Sequence, residues 1–361
     1  MSHRLVFSSK MRLIDERTAG NPISCYAIVY ESFFVLFAER MLFGRKKSMI
    51  YLLYLLVAAG VVLFSVKASE YVDLLDKKTS LSGAFIGGIM LSAVTSLPEL
   101  FTSISATVLI HQPGLCLGNI LGSDLFNMAM LSFFLLIFAR TFREGKLSSS
   151  HRMVTVFVLI CYVVMILNWL GIVRMQMFNI SLSSVIIVLM YLLSIRYLSA
   201  EDGSTEEEET VSPLTIPQIV VRFVLVSVGI VVLSIVITYI TDAISLRLHL
   251  GQGMAGALFL GIATSLPEAA STVSLLRMKN VDIAFGNIVG SNIFNFIIMA
   301  VVDILYRGSV YDFSDPQTVV LMLCGTAALP IMWIMMKFRN KATQIICPLG
   351  IIACYVAFLM G

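Results

Sequence analysis

The chain is poor in charge. Asp, Glu, Lys and Arg make up 13% of its 361 residues, while hydrophobic residues make up 58%. Soluble domains carry roughly 25% charged and about 45–50% apolar residues. That balance excludes a water-soluble globular domain, and a net charge of +3 lends no support to a nucleic-acid partner. The cysteines, Cys25, Cys116, Cys161, Cys324, Cys347 and Cys354, include no CxxC pair. Neither a disulfide framework nor a zinc site is therefore expected. HExxH, GxSxG and GxGD arrangements are also missing, so an intramembrane hydrolase has no sequence basis and no enzyme activity is expected.

What is present is a series of apolar runs of the length that crosses a bilayer as a helix, about 20 residues. The runs are unbroken rather than alternating, which favours helices over a barrel. Spans are expected at about 49–67, 81–110, 115–139, 153–173 and 178–197, then at about 218–241, 254–277, 281–305, 317–337 and 342–360. Residues 1–48 form a basic arm that can touch anionic lipid. Within it Cys25–Phe43, interrupted by Glu31, Glu39 and Arg40, reads as an interfacial helix, with a membrane span as the alternative. Residues 49–197 form a first repeat and 218–361 a second. Between them, 198–217 is an acidic linker whose Glu201–Glu209 stretch has the composition of a solvated, unstructured segment. The fold expected is all-α, a polytopic membrane protein of about ten transmembrane helices in two inverted five-helix repeats. An odd number of spans per half turns the second half over. The loops after spans 1, 3, 5, 7 and 9 hold thirteen Lys and Arg; those after spans 2, 4, 6 and 8 hold three, Arg174, Arg247 and Arg307. The positive-inside rule places the first set, and residues 198–217, in the cytoplasm.

The organising signal is a repeat. Thr95-Ser96-Leu97-Pro98-Glu99 returns as Thr264-Ser265-Leu266-Pro267-Glu268, an offset of 169. Gly118-Asn119-Ile120-Leu121-Gly122-Ser123-Asp124-Leu125-Phe126-Asn127 is answered by Gly286-Asn287-Ile288-Val289-Gly290-Ser291-Asn292-Ile293-Phe294-Asn295, an offset of 168. A carboxylate inside an apolar span is costly and by default functional. Proline interrupts the helix ladder, and at the first position of a new half-helix its missing N–H does no harm. Freed carbonyls, hydroxyls and a carboxylate together make a hard-cation site of oxygen ligands. Ser123 with Asn127, and Ser291 with Asn295, are four apart and share a helix face. Gly118, Gly122, Gly286 and Gly290 read as close helix packing. Asn119 and Asn287 either extend the lining or brace the broken helices. Asp124 is rotated about 100° from Ser123 and is expected to face protein rather than ion, a further charge at the site being the alternative. Glu70, Asp73 and Asp76 are expected at the membrane interface, and Asp303 as a cap or pairing group. His111 and His249 match no metal-ligand spacing.

Both motif pairs resemble the two alpha repeats of the cation/calcium exchanger superfamily, and are similar to its short prokaryotic sodium/calcium-exchanger-like members. The resemblance covers about residues 83–138 and 256–305, and the ten-span plan about 49–360; the arm lies outside it. It implies a secondary-active antiporter in a prokaryotic plasma membrane that exports calcium in exchange for sodium by alternating access. Proton or potassium coupling is the alternative, and a cation channel a more distant one. Carried over by position, the ligand set is Thr95, Ser96, Glu99, Ser123, Asn127, Thr264, Ser265, Glu268, Ser291 and Asn295. Such exchangers commonly carry Asp at the position of Asn295. Glu99 and Glu268 are then the evident central charge, enough to balance one divalent ion but little for three sodium ions. No cofactor is implied beyond the transported Ca2+ and Na+. The expected partners are inorganic cations and membrane lipid, with no nucleic acid and no obligate protein partner.

Overall fold

A computed structural model of the chain describes residues 47–79, 92–93, 95–177, 180–199, 214–277 and 279–360. The bundle is Leu52–Gly361; Met1–Tyr51 is a separate unit, of which only the start of the first helix is described. The interfacial helix expected within 25–43 and the acidic stretch 201–209 lie outside the described residues.

The first half contains α1 (Lys47–Thr79), α2 (Leu97–Ile104), α3 (Pro113–Ile137), the short α4 (Ala139–Glu144), α5 (Ser150–Trp169) and α6 (Leu182–Ser199). The second contains α7 (Ile216–Leu248), α8 (Gln252–Ala255), α9 (Ile262–Arg277), α10 (Val281–Leu305), α11 (Pro316–Lys337) and α12 (Thr343–Met360). Among the described residues eight helices are long and apolar enough to cross a membrane, and shorter apolar helices at Leu97–Leu109 and Leu182–Tyr197 complete the ten-span plan. The protein is a polytopic α-helical membrane protein of two inverted repeats.

Helix starts follow local chemistry. α7 opens with a capping box in which Thr215 N–H donates to Gln218 Oε1 at 3.0 Å, with Pro217 in its first turn. Asp315 caps α11 by accepting from Gln317 N–H at 3.0 Å, and Asn280 caps α10 by accepting from Ile283 N–H at 3.3 Å. Between α3 and α5 the chain forms α4, where an Arg140–Glu144 pair at 2.9 Å bridges successive turns. Ahead of α6 a two-residue antiparallel pair forms, Gln176–Met177 with Ile180–Ser181. Asp303 sets the entry to α6: its Oδ2 accepts from Ser181 N–H at 2.8 Å and Ser184 Oγ at 2.7 Å. It is a buried pairing group.

Each of α2, α3, α9 and α10, the helices that carry the motifs, touches the other three. Around them α11 and α12 pack on α3, and α5 and α6 pack on α10. Outside this core, α1 and α7, each 33 residues long, lie together. Phe64 of α1 lies against Gly229 of α7, and Leu233 of α7 against Gly60 of α1. Their outer faces, Leu55, Leu56 and Leu63 on one and Val221, Leu225 and Val228 on the other, are exposed. In water such faces would be costly; in a bilayer they meet lipid. At the far end of α1, Glu70 is exposed and pairs with Lys67 at 2.6 Å.

The two repeats meet through small residues. A Cβ on Gly122 would lie 2.7 Å from Ala257 Cβ and closer still to Ala257 Cα; one on Gly118 would lie 2.9 Å from the Gly253 carbonyl carbon. Lipid tails are as apolar as side chains, so helix association in a membrane depends on such close backbone approach. The other two glycines behave differently: Gly286 faces the His151 ring and Gly290 faces Ser92, both side chains.

Candidate functional site

The first glutamate motif breaks the helix as its sequence implies. Ser96 stands before α2 with non-helical backbone angles, and Pro98 occupies the first turn, where no N–H is needed. Ser96 N–H still reaches Ser92 O at 3.0 Å. The second motif departs from the expectation. α9 runs through Pro267 without interruption, and the irregularity lies upstream, in a π-helical turn at Gly256–Gly261. Wide turns of that kind absorb a ladder mismatch and are frequent at functional sites. In the first repeat the π-helical turn follows the motif, at Ser105–Leu109.

These helices bring the two glutamates to one place with crossed partners. Ser96 of the first repeat donates to Glu268 Oε1 at 3.4 Å; Ser265 of the second donates to Glu99 Oε1 at 3.3 Å. Each carboxylate is thus held by a hydroxyl from the opposite repeat. Glu99 Oε2 and Glu268 Oε2 are buried without a hydrogen-bond partner. Among the described residues neither glutamate has a Lys, Arg or His ion-pair partner. Two buried, uncompensated carboxylates are unfavourable unless a proton or cation joins them.

Thr95 and Thr264 lie in the same layer. Thr95 donates to Ser92 O at 3.2 Å and faces the Glu268 carboxyl; Thr264 donates to Leu260 O at 2.9 Å and faces Glu99. Ser291 also faces Glu268 but its hydroxyl forms no hydrogen bond of good geometry. Its counterpart Ser123 donates to Gly261 O at 3.3 Å, spanning the seam between repeats.

Asn119 and Asn287 are braces, the role left open by the sequence. Asn119 Nδ2 donates to Glu99 O at 3.3 Å, Thr102 Oγ1 at 3.0 Å and Ser103 Oγ at 2.9 Å. Asn287 Nδ2 donates to Glu268 O at 3.4 Å and Thr272 Oγ1 at 3.3 Å. Each ties its own glutamate's backbone to the next motif helix. The spacing offered a clue: Thr102 and Ser103 are three and four residues after Glu99, and Thr272 is four after Glu268, hence on the same faces.

Asn127 and Asn295 join a second polar group with residues the ligand set did not include. Asn127 Nδ2 donates to Asn292 Oδ1 at 3.2 Å, and Asn292 Nδ2 to Asp124 O at 3.3 Å. Asn295 Nδ2 donates to Asp124 Oδ1 at 2.9 Å, and Tyr162 OH lies 3.5 Å from Asp124 Oδ2. Asp124 therefore faces protein, as expected, but the protein it faces is a carboxamide of the ligand set. Nothing in the sequence around Tyr162 pointed to it.

All ten residues of the set are at most 1% exposed. A surface cleft of about 550 Å3 at Asn168, Arg174, Tyr311 and Asp312 includes none of them in its lining. Both carboxylates are buried.

The family described as sodium/calcium exchanger protein matches residues 49–200 and 218–361, two stretches that part at the acidic linker. An uncharacterized membrane protein, MJ0091, of Methanocaldococcus jannaschii is 25% identical over 219 residues, 59% of this chain and 68% of that protein. Among solved structures, the H+/Ca2+ exchanger CAX aligns with a TM-score of 0.60 at 14% identity over 93% of each chain. The sodium-calcium exchanger NCX_Mj aligns with a TM-score of 0.53 at 19% identity over 86% of this chain and 97% of its own. Those identities speak for a shared fold; the two matched stretches, carrying the paired motifs in order, establish that this chain belongs to the sodium/calcium exchanger protein family.

Proposed function

We propose that the protein is a secondary-active antiporter that exports Ca2+ in exchange for Na+ by alternating access. The observation that carries this reading is the crossed pairing of Glu99 and Glu268 with Ser265 and Ser96, each carboxylate keeping one bare oxygen. Two carboxylates balance one divalent ion, and hydroxyls and carbonyls complete a hard-oxygen shell. Because each acid is held from the opposite repeat, the site exists only while the repeats are docked. A cation between the acids removes their mutual repulsion and favours the closed form. α1 and α7, paired with each other outside the four-helix core, are the elements that would slide to open it. The ligands are Thr95, Ser96, Glu99, Ser123, Asn127, Thr264, Ser265, Glu268, Ser291 and Asn295. The setting is a prokaryotic plasma membrane, with the more basic loops in the cytoplasm.

Proton coupling is the second reading. Asn127 and Asn295 are both neutral, which leaves little charge for several sodium ions, and among the fold relatives CAX is an H+/Ca2+ exchanger. The test is calcium flux into proteoliposomes under separate sodium, potassium and proton gradients, with Glu99→Gln and Glu268→Gln alongside. The amide is nearly isosteric and removes the charge. Removing one charge from a buried pair costs about 3–5 kcal/mol of ion binding, on the order of a hundred- to several-thousand-fold in affinity. Flux should follow one monovalent gradient and vanish in both variants. Flux under none of the gradients sinks calcium antiport; undiminished flux in both variants removes the glutamates from the mechanism.

A further inference from the structure

The surface cleft of about 550 Å3 lies where the loop after α5 meets the loop after α10, so both repeats line it. Among the described residues its charged lining groups are one of each sign, Arg174 and Asp312, and Trp169, Tyr311 and Phe313 supply aromatic surface. Asn168, Ser181 and Tyr311 are buried and fixed from within the bundle. Asn168 Nδ2 donates to Ser183 Oγ at 2.9 Å. Asp303 Oδ2 takes the Ser181 N–H and the Ser184 hydroxyl, and Ser184 Oγ meets Tyr311 OH at 2.7 Å.

Both charges are set in place. After α5, Gly171 at φ 83° turns the chain back. Arg174 then folds over the helix end: Nε donates to Asn168 O at 3.1 Å and Nη2 to Trp169 O at 3.1 Å. The last carbonyls of a helix favour a cation there. A guanidinium has five N–H donors, so these two bonds leave others to face the cleft. Asp312 is held in its loop by the Ser314 N–H, which donates to Oδ1 at 3.0 Å. Among the described residues Arg174 and Asp312 form no ion pair, with each other or with a third group.

Two preset and unpaired charges of opposite sign, facing one space, fit a ligand that carries both. A phosphate–ammonium zwitterion has that form. The guanidinium takes phosphate oxygens, the carboxylate accepts from a primary ammonium, and an aromatic face attracts the same cation. A simple anion fits less well, because Asp312 would oppose it. The loops on this side also hold just three Lys and Arg, Arg174, Arg247 and Arg307. The cleft stands at the ends of membrane spans. Around it Leu170, Ile172 and Met175 of one loop and Leu305 at the end of α10 are exposed apolar side chains, a surface for acyl chains.

We propose that Arg174 and Asp312 seat the phosphoethanolamine headgroup of a membrane lipid in this cleft. The lipid bridges the two repeats at the end of the bundle away from the basic loops. The proposal does not depend on which ion is transported.

The experiment is thermal unfolding of the full-length protein in detergent, titrated with phosphatidylethanolamine, phosphatidylcholine or phosphatidylglycerol of one acyl composition. A lipid that binds the folded state alone raises the midpoint by mass action. Wild type should be half-saturated by phosphatidylethanolamine at a mole fraction at least tenfold lower than by either other lipid. Choline has no N–H for Asp312, and glycerol has no positive charge. Asp312→Asn keeps an acceptor for Ser314 N–H and leaves the arginine alone in the cleft. It should raise the half-saturating phosphatidylethanolamine at least tenfold and lower that of phosphatidylglycerol, a reversal that a merely structural role would not produce. Arg174→Gln should weaken all three responses. Equal wild-type responses to the three lipids, or a preference for either of the other two, overturn the proposal. So does either variant with the wild-type preference. Water-soluble glycerophosphoethanolamine acting as strongly as the lipid at equal concentration overturns the bilayer as the source. Should either variant fail to fold, Arg174→Lys keeps the charge without the fork. Half-saturation by phosphatidylethanolamine raised at least threefold then supports the seat, and an unchanged value overturns it.

Discussion

Replacing Gly122 by Ala should damage the protein, and replacing Gly286 by Ala should not, although both are glycines of the repeated Gly-Asn-x-x-Gly-Ser stretch. At Gly122 the new Cβ would stand 2.7 Å from Ala257 Cβ and 3.1 Å from Ala257 O, on the π-helical turn of the other repeat. Carbon atoms rest comfortably at about 3.5–4.0 Å, so the two backbones must separate by about 1 Å. Backbone cannot rotate aside. Overpacking of this kind costs about 1–3 kcal/mol and sometimes more, against a helix-propensity gain of about 1 kcal/mol for Ala over Gly. The upper end applies here, for a net loss of about 2 kcal/mol. At Gly286 the nearest atom is His151 Cε1 at 3.1 Å, the tip of a side chain that can yield a few tenths of an ångström. Propensity gain and repacking nearly cancel there, leaving a change within about 0.5 kcal/mol. The assay is reversible unfolding in mixed micelles by titration with SDS, both variants beside wild type. Gly122→Ala should also weaken calcium binding, because the shift carries Ser123 off Gly261 O. Equal stability of the two variants, or the reverse order, would refute the argument that the repeats are joined by backbone contact at α3.

Two other outcomes follow. Asn119→Ala leaves Glu99 O, Thr102 Oγ1 and Ser103 Oγ without their shared donor. It should lower stability by about 1–3 kcal/mol and weaken calcium binding, whereas a loss of stability with unchanged binding would show that the brace does not position Glu99. Sidedness is open to cysteine labelling in a background without the native cysteines. Exposed Lys146 and Ser309 lie on loops that the basic-residue count puts on opposite sides. In right-side-out vesicles an impermeant reagent should reach a Cys at Ser309 but not at Lys146, and the opposite pattern reverses the orientation.

The sequence by itself determined the ten spans, the inversion of the halves and ten polar residues that prove to be buried. These are consequences of one-dimensional constraints. A bilayer demands about 20 apolar residues per helix, an odd count inverts the second half, and polar residues survive in lipid only where they face the interior. Even the helix start at Pro98 was legible, because proline acts on its own turn. Only the tertiary structure decided which groups meet. Pro267 looked like a second break, yet α9 continues through it, and the irregularity lies in the wide turn at Gly256–Gly261, six residues and more upstream. Asn119 and Asn287 become braces since α2 and α9 lie against α3 and α10 at the level of the glutamates. The crossing of Ser96 to Glu268 and Ser265 to Glu99 joins residues 172 and 166 positions apart. Asp124 turns toward Asn295 across the same seam. Local sequence sets the face of a helix on which a side chain lies; what that face meets is set by how closely the backbones approach, and here glycines on one repeat and a π-helical turn on the other fix that distance.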